Sequence, residues 1–346
     1  MRNAVLMMLA LVVMLSCLSY ASSAPIVEVR PPVLKYSLFS TLGDIYSANV
    51  SAVDSRREFY KDASSEEQAY YAFLIDSYND FTDQMKKDLE TIVTRIGPWQ
   101  LMNTVTPLDD GAGIKEITRK ASSIFNFFPL SGVFALRRLL PEFYEEHFKE
   151  FFDSRAPTYN DLAERMTELA SEMQNPFSFI EEVSGIRLGD YDCIFYYSFQ
   201  RVGAYGFRTK DSRISTLQHG VDSFDKLYST PFHEYSHEFF QTFTNSREFK
   251  ELAERLKADA GFYSYWNNRP DLKNSYSWRG FCEENLVEGF AQFLYEEFYG
   301  KPSNRSVYYY DVSFYEFLRE IDFDADRISL KEASFVFFDS VLDKLR

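Results

Sequence analysis

The sequence predicts an α+β fold, mostly helical, with a small antiparallel sheet set between two helical regions. Three observations lead there. Apolar residues recur at steps of three and four from Tyr71 to Ile96, the spacing of one helix face. Three short segments rich in aromatic and β-branched residues, at 191–199, 204–210 and 213–220, follow one another across Gly203 and an Asp211-Ser212 turn. Helical spacing then resumes near Ser229 and holds almost to the end of the chain.

The elements follow in order. Residues 1–24 read as a secretory signal peptide: Arg2 gives the positive charge, residues 4–15 form an apolar run too short to span a bilayer, and small or polar residues follow to Ala24. A cut after Ser19-Tyr20-Ala21 is favoured, because Pro25 is a poor residue to follow a cleavage point. A weaker alternative is lipid anchoring at Cys17, after Leu15-Ser16. The mature chain is therefore expected to be secreted or otherwise extracytoplasmic, with no transmembrane segment once the signal is removed.

Residues 25–184 form a helical N-terminal region. A capping box beginning at Ser65 opens the helix that runs, with one break at most, to Gly97-Pro98. Further helices are expected over 141–152 and 161–173. Residues 185–346 hold the sheet and the later helices, at 246–259, 282–299, 312–321 and 329–345, the last opened by a Ser329 to Glu332 capping box. The two regions can also form one continuous domain.

Composition narrows the partners. The chain of 346 residues has 37 Lys+Arg against 52 Asp+Glu, a net charge of -15, and such a surface repels phosphate backbones. Nucleic acid is thus not an expected partner. The 34 Phe and 24 Tyr read as packing material rather than as a sugar-stacking surface. Beyond Cys17, Cys193 and Cys282 can pair as a disulfide or remain two buried thiols, and spacing does not choose between them.

Two of the four histidines lie in His233-Glu234-Tyr235-Ser236-His237. A helix turns about 100° per residue, so positions four apart share a face, and two imidazoles so placed can grip one zinc ion. Glu234 then stands beside the ion and can take a proton from an activated water. Phe232, Ser236, Phe239, Phe240 and Phe243 fall mainly on the opposite face, as expected of a helix buried behind and open in front. Downstream, Glu284 and Glu288 share one face of a second helix; one can close the coordination shell and the other can hold a histidine through its second nitrogen. The bland alternative for that pair is a solvated acidic face. His219, in the strand before the motif, is a candidate for oxyanion support, whereas His147 sits in a charged helix and has no role.

H-E-x-x-H followed by a glutamate on a later helix resembles the gluzincin group of zinc metallopeptidases. Within it, His233-Glu-Tyr-Ser-His237 and Glu284-Asn-Leu-Val-Glu288-Gly289 are similar to motifs of a family of secreted, largely uncharacterised metallopeptidase-like proteins, roughly H-E-F-[SN]-H and E-x-L-V-R-A. The departures are Glu288 in place of Arg and Gly289 in place of Ala. The resemblance implies zinc held by His233, His237 and Glu284, a peptide or protein substrate, and strand addition of that peptide along residues 213–220. A competing match of Leu286-Val-Glu288-Gly-Phe-Ala291 to the L-N-E-G-F-A segment of gluzincin aminopeptidases makes Glu288 the ligand instead. The expected activity is peptide-bond hydrolysis by zinc-activated water with Glu234 as general base. The alternative is a secreted binding or structural protein on the same scaffold.

Overall fold

The computed structural model describes residues 25–123, 130–201, 203–303 and 305–345. The signal peptide and Cys17 lie outside the described residues. The fold is α+β and mostly helical, with one four-stranded sheet.

The sheet is mixed rather than antiparallel. Its strands are β1 (Val27–Arg30), β2 (Asp192–Tyr197), β3 (Gly206–Arg208) and β4 (Ser212–Leu217), in spatial order β1-β2-β4-β3. β3 and β4 form the hairpin that the Asp211-Ser212 turn implies, with Phe207 opposite Ile214. β2 pairs with β4 in parallel, Phe195 beside Ser215, because β3 folds outward to the edge and leaves β4 to fill the inner place. β1, a four-residue strand that ends directly before Pro31-Pro32, completes the parallel side by pairing Val27 with Cys193. Parallel strands need cover on both faces, and these are buried accordingly. Thr167 of the helix Asn160–Ser171 bonds to both the N–H and the carbonyl of Val29, while Tyr235 reaches β4 from the other direction through the Arg213 carbonyl.

Several helices begin where a side chain caps them. Ser64 rather than Ser65 is the cap of the helix Ser65–Asp80, exchanging hydrogen bonds with Glu67, one residue earlier than the sequence pattern suggests. The expected break falls at Phe81, and Thr82 caps the next helix, Asp83–Arg95. Ser329 and Glu332 form the capping box read from the sequence. One hydrophobic core runs from Val29 to Leu342 and joins the two halves of the chain. Cys193 and Cys282 are both buried free thiols, not a disulfide. Among the described residues no helix is long and apolar enough to cross a membrane.

Candidate metal centre

Two helices bring the centre together. The histidine helix, Ser229–Thr244, tolerates Pro231 because a proline in the first turn forfeits no intrahelical bond. Phe232, Tyr235, Ser236, Phe239, Phe240 and Phe243 are buried, and the Tyr235 ring packs on Phe177 and Phe195. That fixes the rotation of the helix and turns His233, Glu234 and His237 to a cleft of about 1240 Å³.

The glutamate helix, Trp278–Tyr299, starts at a Ser277 cap and ends at Gly300, whose φ of 67° is left-handed. It is buried on all sides from Phe281 to Leu294. Its acidic face is therefore not solvated: Glu283, Glu284 and Glu288 are 5%, 7% and 1% exposed. Three buried carboxylates require partners, since an unpaired ion in the interior is costly.

Each of the three has its partners. Glu284 faces both histidines, with His233 Nε2 at 3.5 Å and His237 Nε2 at 3.6 Å. Glu288 Oε2 lies 2.7 Å from His233 Nδ1, held by charge and proximity more than by the aim of the ring N–H, and Glu288 Oε1 is 3.2 Å from Arg305 Nε. Glu283, not singled out from the sequence, stands 3.3 Å from His237 Nδ1 and accepts a bond from Thr244. Each histidine thus has one nitrogen toward Glu284 and the other against a carboxylate behind it.

The donor set suits a divalent cation. One nitrogen from each of His233 and His237 and one Glu284 oxygen lie within 4.8 Å of one another. Ligands at about 2.0–2.2 Å from a tetrahedral ion sit roughly 3.3–3.6 Å apart, and His233 Nε2 to Glu284 Oε2 and His237 Nε2 to Glu284 Oε1 are of that length, one to each carboxylate oxygen. The electrostatics agree in sign. Burial opposes charge on His233, yet Glu284 and Glu288 hold its pKa well above the ordinary value, and His237 is raised through Glu284 and Glu283. Burial pushes the Glu284 carboxyl up, but the two histidines pull it below its usual value. The pocket calls for positive charge at its centre.

Neighbouring loops complete it. Asn285 accepts the Tyr309 and Tyr310 N–H groups, and Asp311 accepts those of Val307 and Tyr308. This clamp sets the Tyr308 hydroxyl 3.1 Å from Glu284 Oε2, with Tyr276 hydrogen-bonded to Tyr308 in turn. Gly289 has a steric cause: a Cβ there would stand 2.5 Å from the Asp311 carbonyl, so even alanine does not fit. His219 is elsewhere, against Tyr159 and Glu66, and lines a separate small hollow, so it is not placed for oxyanion support. Tyr205 and Tyr276 are hydroxyl side chains in the cleft wall itself. The strand at 213–220 is also not free to receive a peptide, because β3 covers it; the edge on the cleft is β3.

Comparison with models of known protein families, with curated proteins and with solved structures finds no match to this chain.

Proposed function

We propose that this chain is a secreted zinc-dependent metallopeptidase that hydrolyses peptide bonds with Glu234 as general base. The observation that carries the reading is the convergence of His233, His237 and Glu284 on the wall of a cleft that Glu234 also lines. His233, His237 and Glu284 would hold the ion, with Glu288 and Glu283 orienting the two imidazoles from behind. Zinc when bound supplies a Lewis acid and makes a water molecule acidic near neutral pH.

The remaining work falls to side chains. Glu234 takes one proton from the attacking water as its oxygen bonds to the carbonyl carbon, then returns that proton to the amine nitrogen as the C–N bond breaks. Tyr205 lines the cleft and would be the hydroxyl donor to the carbonyl oxygen as charge develops on it, whereas the Tyr276 proton is engaged with Tyr308. The Tyr205 pKa is raised by burial first and then by Asp44 and Glu234, so its hydroxyl remains protonated across neutral pH. The edge of β3 offers backbone groups to an extended chain.

The test replaces Glu234 with Gln. Zinc content and melting temperature are expected to stay at the wild-type level, while cleavage of an unstructured protein falls by about 10²–10⁴-fold. Cleavage at the wild-type rate removes Glu234 as the base. Zinc binding without any chelator-sensitive cleavage by the wild-type protein would instead favour a binding protein on this scaffold.

A further inference from the structure

β3 is the outermost strand on the cleft side, yet part of its open edge is already engaged. The Tyr205 carbonyl accepts from Thr216 and the Thr209 N–H donates to Ser212, so the odd-numbered residues turn their backbone toward β4. Antiparallel alternation then points the N–H and C=O of Gly206 and Arg208 outward, where an added strand would pair. The Gly206 carbonyl is met there by the indole Nε1 of Trp99, at 3.1 Å and from 107 residues away in sequence.

Trp99 is poorly explained as packing. It is 43% exposed, whereas Trp266 and Trp278 are buried. Its position is nevertheless built with care. Gly97 adopts a φ of 87°, which side-chain-bearing residues rarely take, and Pro98 opens the helix Pro98–Val105 that carries the indole. Pro98 presses on the helix Leu34–Tyr46 at Gly43, where a Cβ would lie 2.7 Å from Pro98 Cγ. On the other side, a Cβ at Gly206 would stand 3.0 Å from Glu234 Oε2. Trp99, Gly206 and Glu234 therefore form a continuous row from the cleft rim to the proposed base.

We propose that the Trp99 indole stands in for the backbone N–H of an extended peptide, and that a peptide entering the cleft displaces it from the Gly206 carbonyl. The proposal rests on the peptidase reading above. Trp99 acts on peptide affinity and is a specificity-determining residue, not a catalytic one. A substrate must replace the indole N–H with its own, so sequences able to lie extended at that point, and not proline there, gain entry.

The experiment uses the full-length E234Q protein loaded with zinc and a pool of fluorescein-labelled extended peptides. Trp99→Phe keeps an aromatic ring but lacks the donor, and in the E234Q background it is expected to tighten peptide binding by about 3- to 10-fold, the worth of one freed acceptor. In E234Q alone, unlabelled peptide should shift tryptophan emission to the red and raise its quenching by acrylamide, and E234Q/W99F should lose that change. The emission measurement needs no change at Trp99, so a poorly folding W99F protein does not remove the test. Peptide binding with neither a W99F effect nor an emission change overturns the displacement and leaves the peptidase reading standing. Zinc-loaded protein that binds no peptide in any form overturns the peptidase reading, and the displacement with it.

Discussion

The histidine helix, with two of the proposed zinc ligands, and the glutamate helix, with the third, are built in opposite ways. The first is amphipathic: phenylalanines lock one side, and His233, Glu234 and His237 remain partly exposed on the other. The second is enclosed along fourteen consecutive residues, Phe281 to Leu294, with its carboxylates inside the core. A group on the open helix can be altered at little cost to the fold. On the enclosed helix, chemistry and stability share the same atoms.

Replacing the two glutamates tests that contrast most strongly. Glu284→Ala is expected to abolish stoichiometric zinc binding and cleavage together, whereas Glu288→Ala, which removes only the support behind His233, should weaken zinc affinity by about 10- to 100-fold. Zinc content by mass spectrometry and competition with a chelator separate the two. Full zinc content in both variants would break the assignment of Glu284 as third ligand.

A smaller effect comes from shape alone. Gly289→Ala drives a methyl into the Asp311 carbonyl and the Phe314 side chain, and should destabilise the fold by about 1–3 kcal/mol in urea titration. The same titration on Glu234→Gln, from the open helix, should show no change beyond about 0.5 kcal/mol.

The smallest effect is a control far from both helices. Asp110 is bound by Lys35 at 2.9 Å and Arg30 at 2.8 Å; burial pushes its carboxyl up, but those cations and Tyr196 bring it below the usual value. A carboxyl lowered in the folded state contributes stability above its unfolded pKa of about 3.9, and that stability is lost as pH falls through the lower folded value. Asp110→Asn should therefore be less stable than wild type at neutral pH, with the gap closing in strong acid, and zinc should leave this difference unchanged. A gap that widens on acidification, followed by urea midpoint against pH, would contradict the ion-pair account.

The sequence made some of this legible because the relevant information is local. His233 and His237 are one helical turn apart, Glu284 and Glu288 likewise, and the Ser329 box needs three residues. The hairpin between β3 and β4 was readable from its turn for the same reason. What was hidden depends on distance along the chain. β1 is too short to announce itself, and its partner lies 166 positions on. Parallel pairing of β2 with β4 follows from where β3 goes, which no strand pattern encodes. Glu283 was within reach, as one more acidic residue beside a known pair, but its role needs the position of His237 in space. Tyr308, Arg305 and Trp99 carry no local signal at all, and Gly289 gains meaning only from the carbonyl that faces it.

The long reach of β1 also bears on how the molecule comes to exist. Val27–Arg30 is the first strand of the described chain, yet nothing can pair with it until Cys193 and its neighbours are available. Closing a loop of that size is entropically unfavourable and slow relative to forming the helices in between. The helices of the N-terminal half therefore form around a strand that is still waiting, and sheet completion becomes a late event. β2 carries β1 on one side and, through β4 and β3, the wall beside Glu234 on the other, so the late strand joins the sheet at the edge away from the cleft. The pairings among residues 192–217 can therefore form before β1 docks, and the two edges of one sheet mature on different schedules.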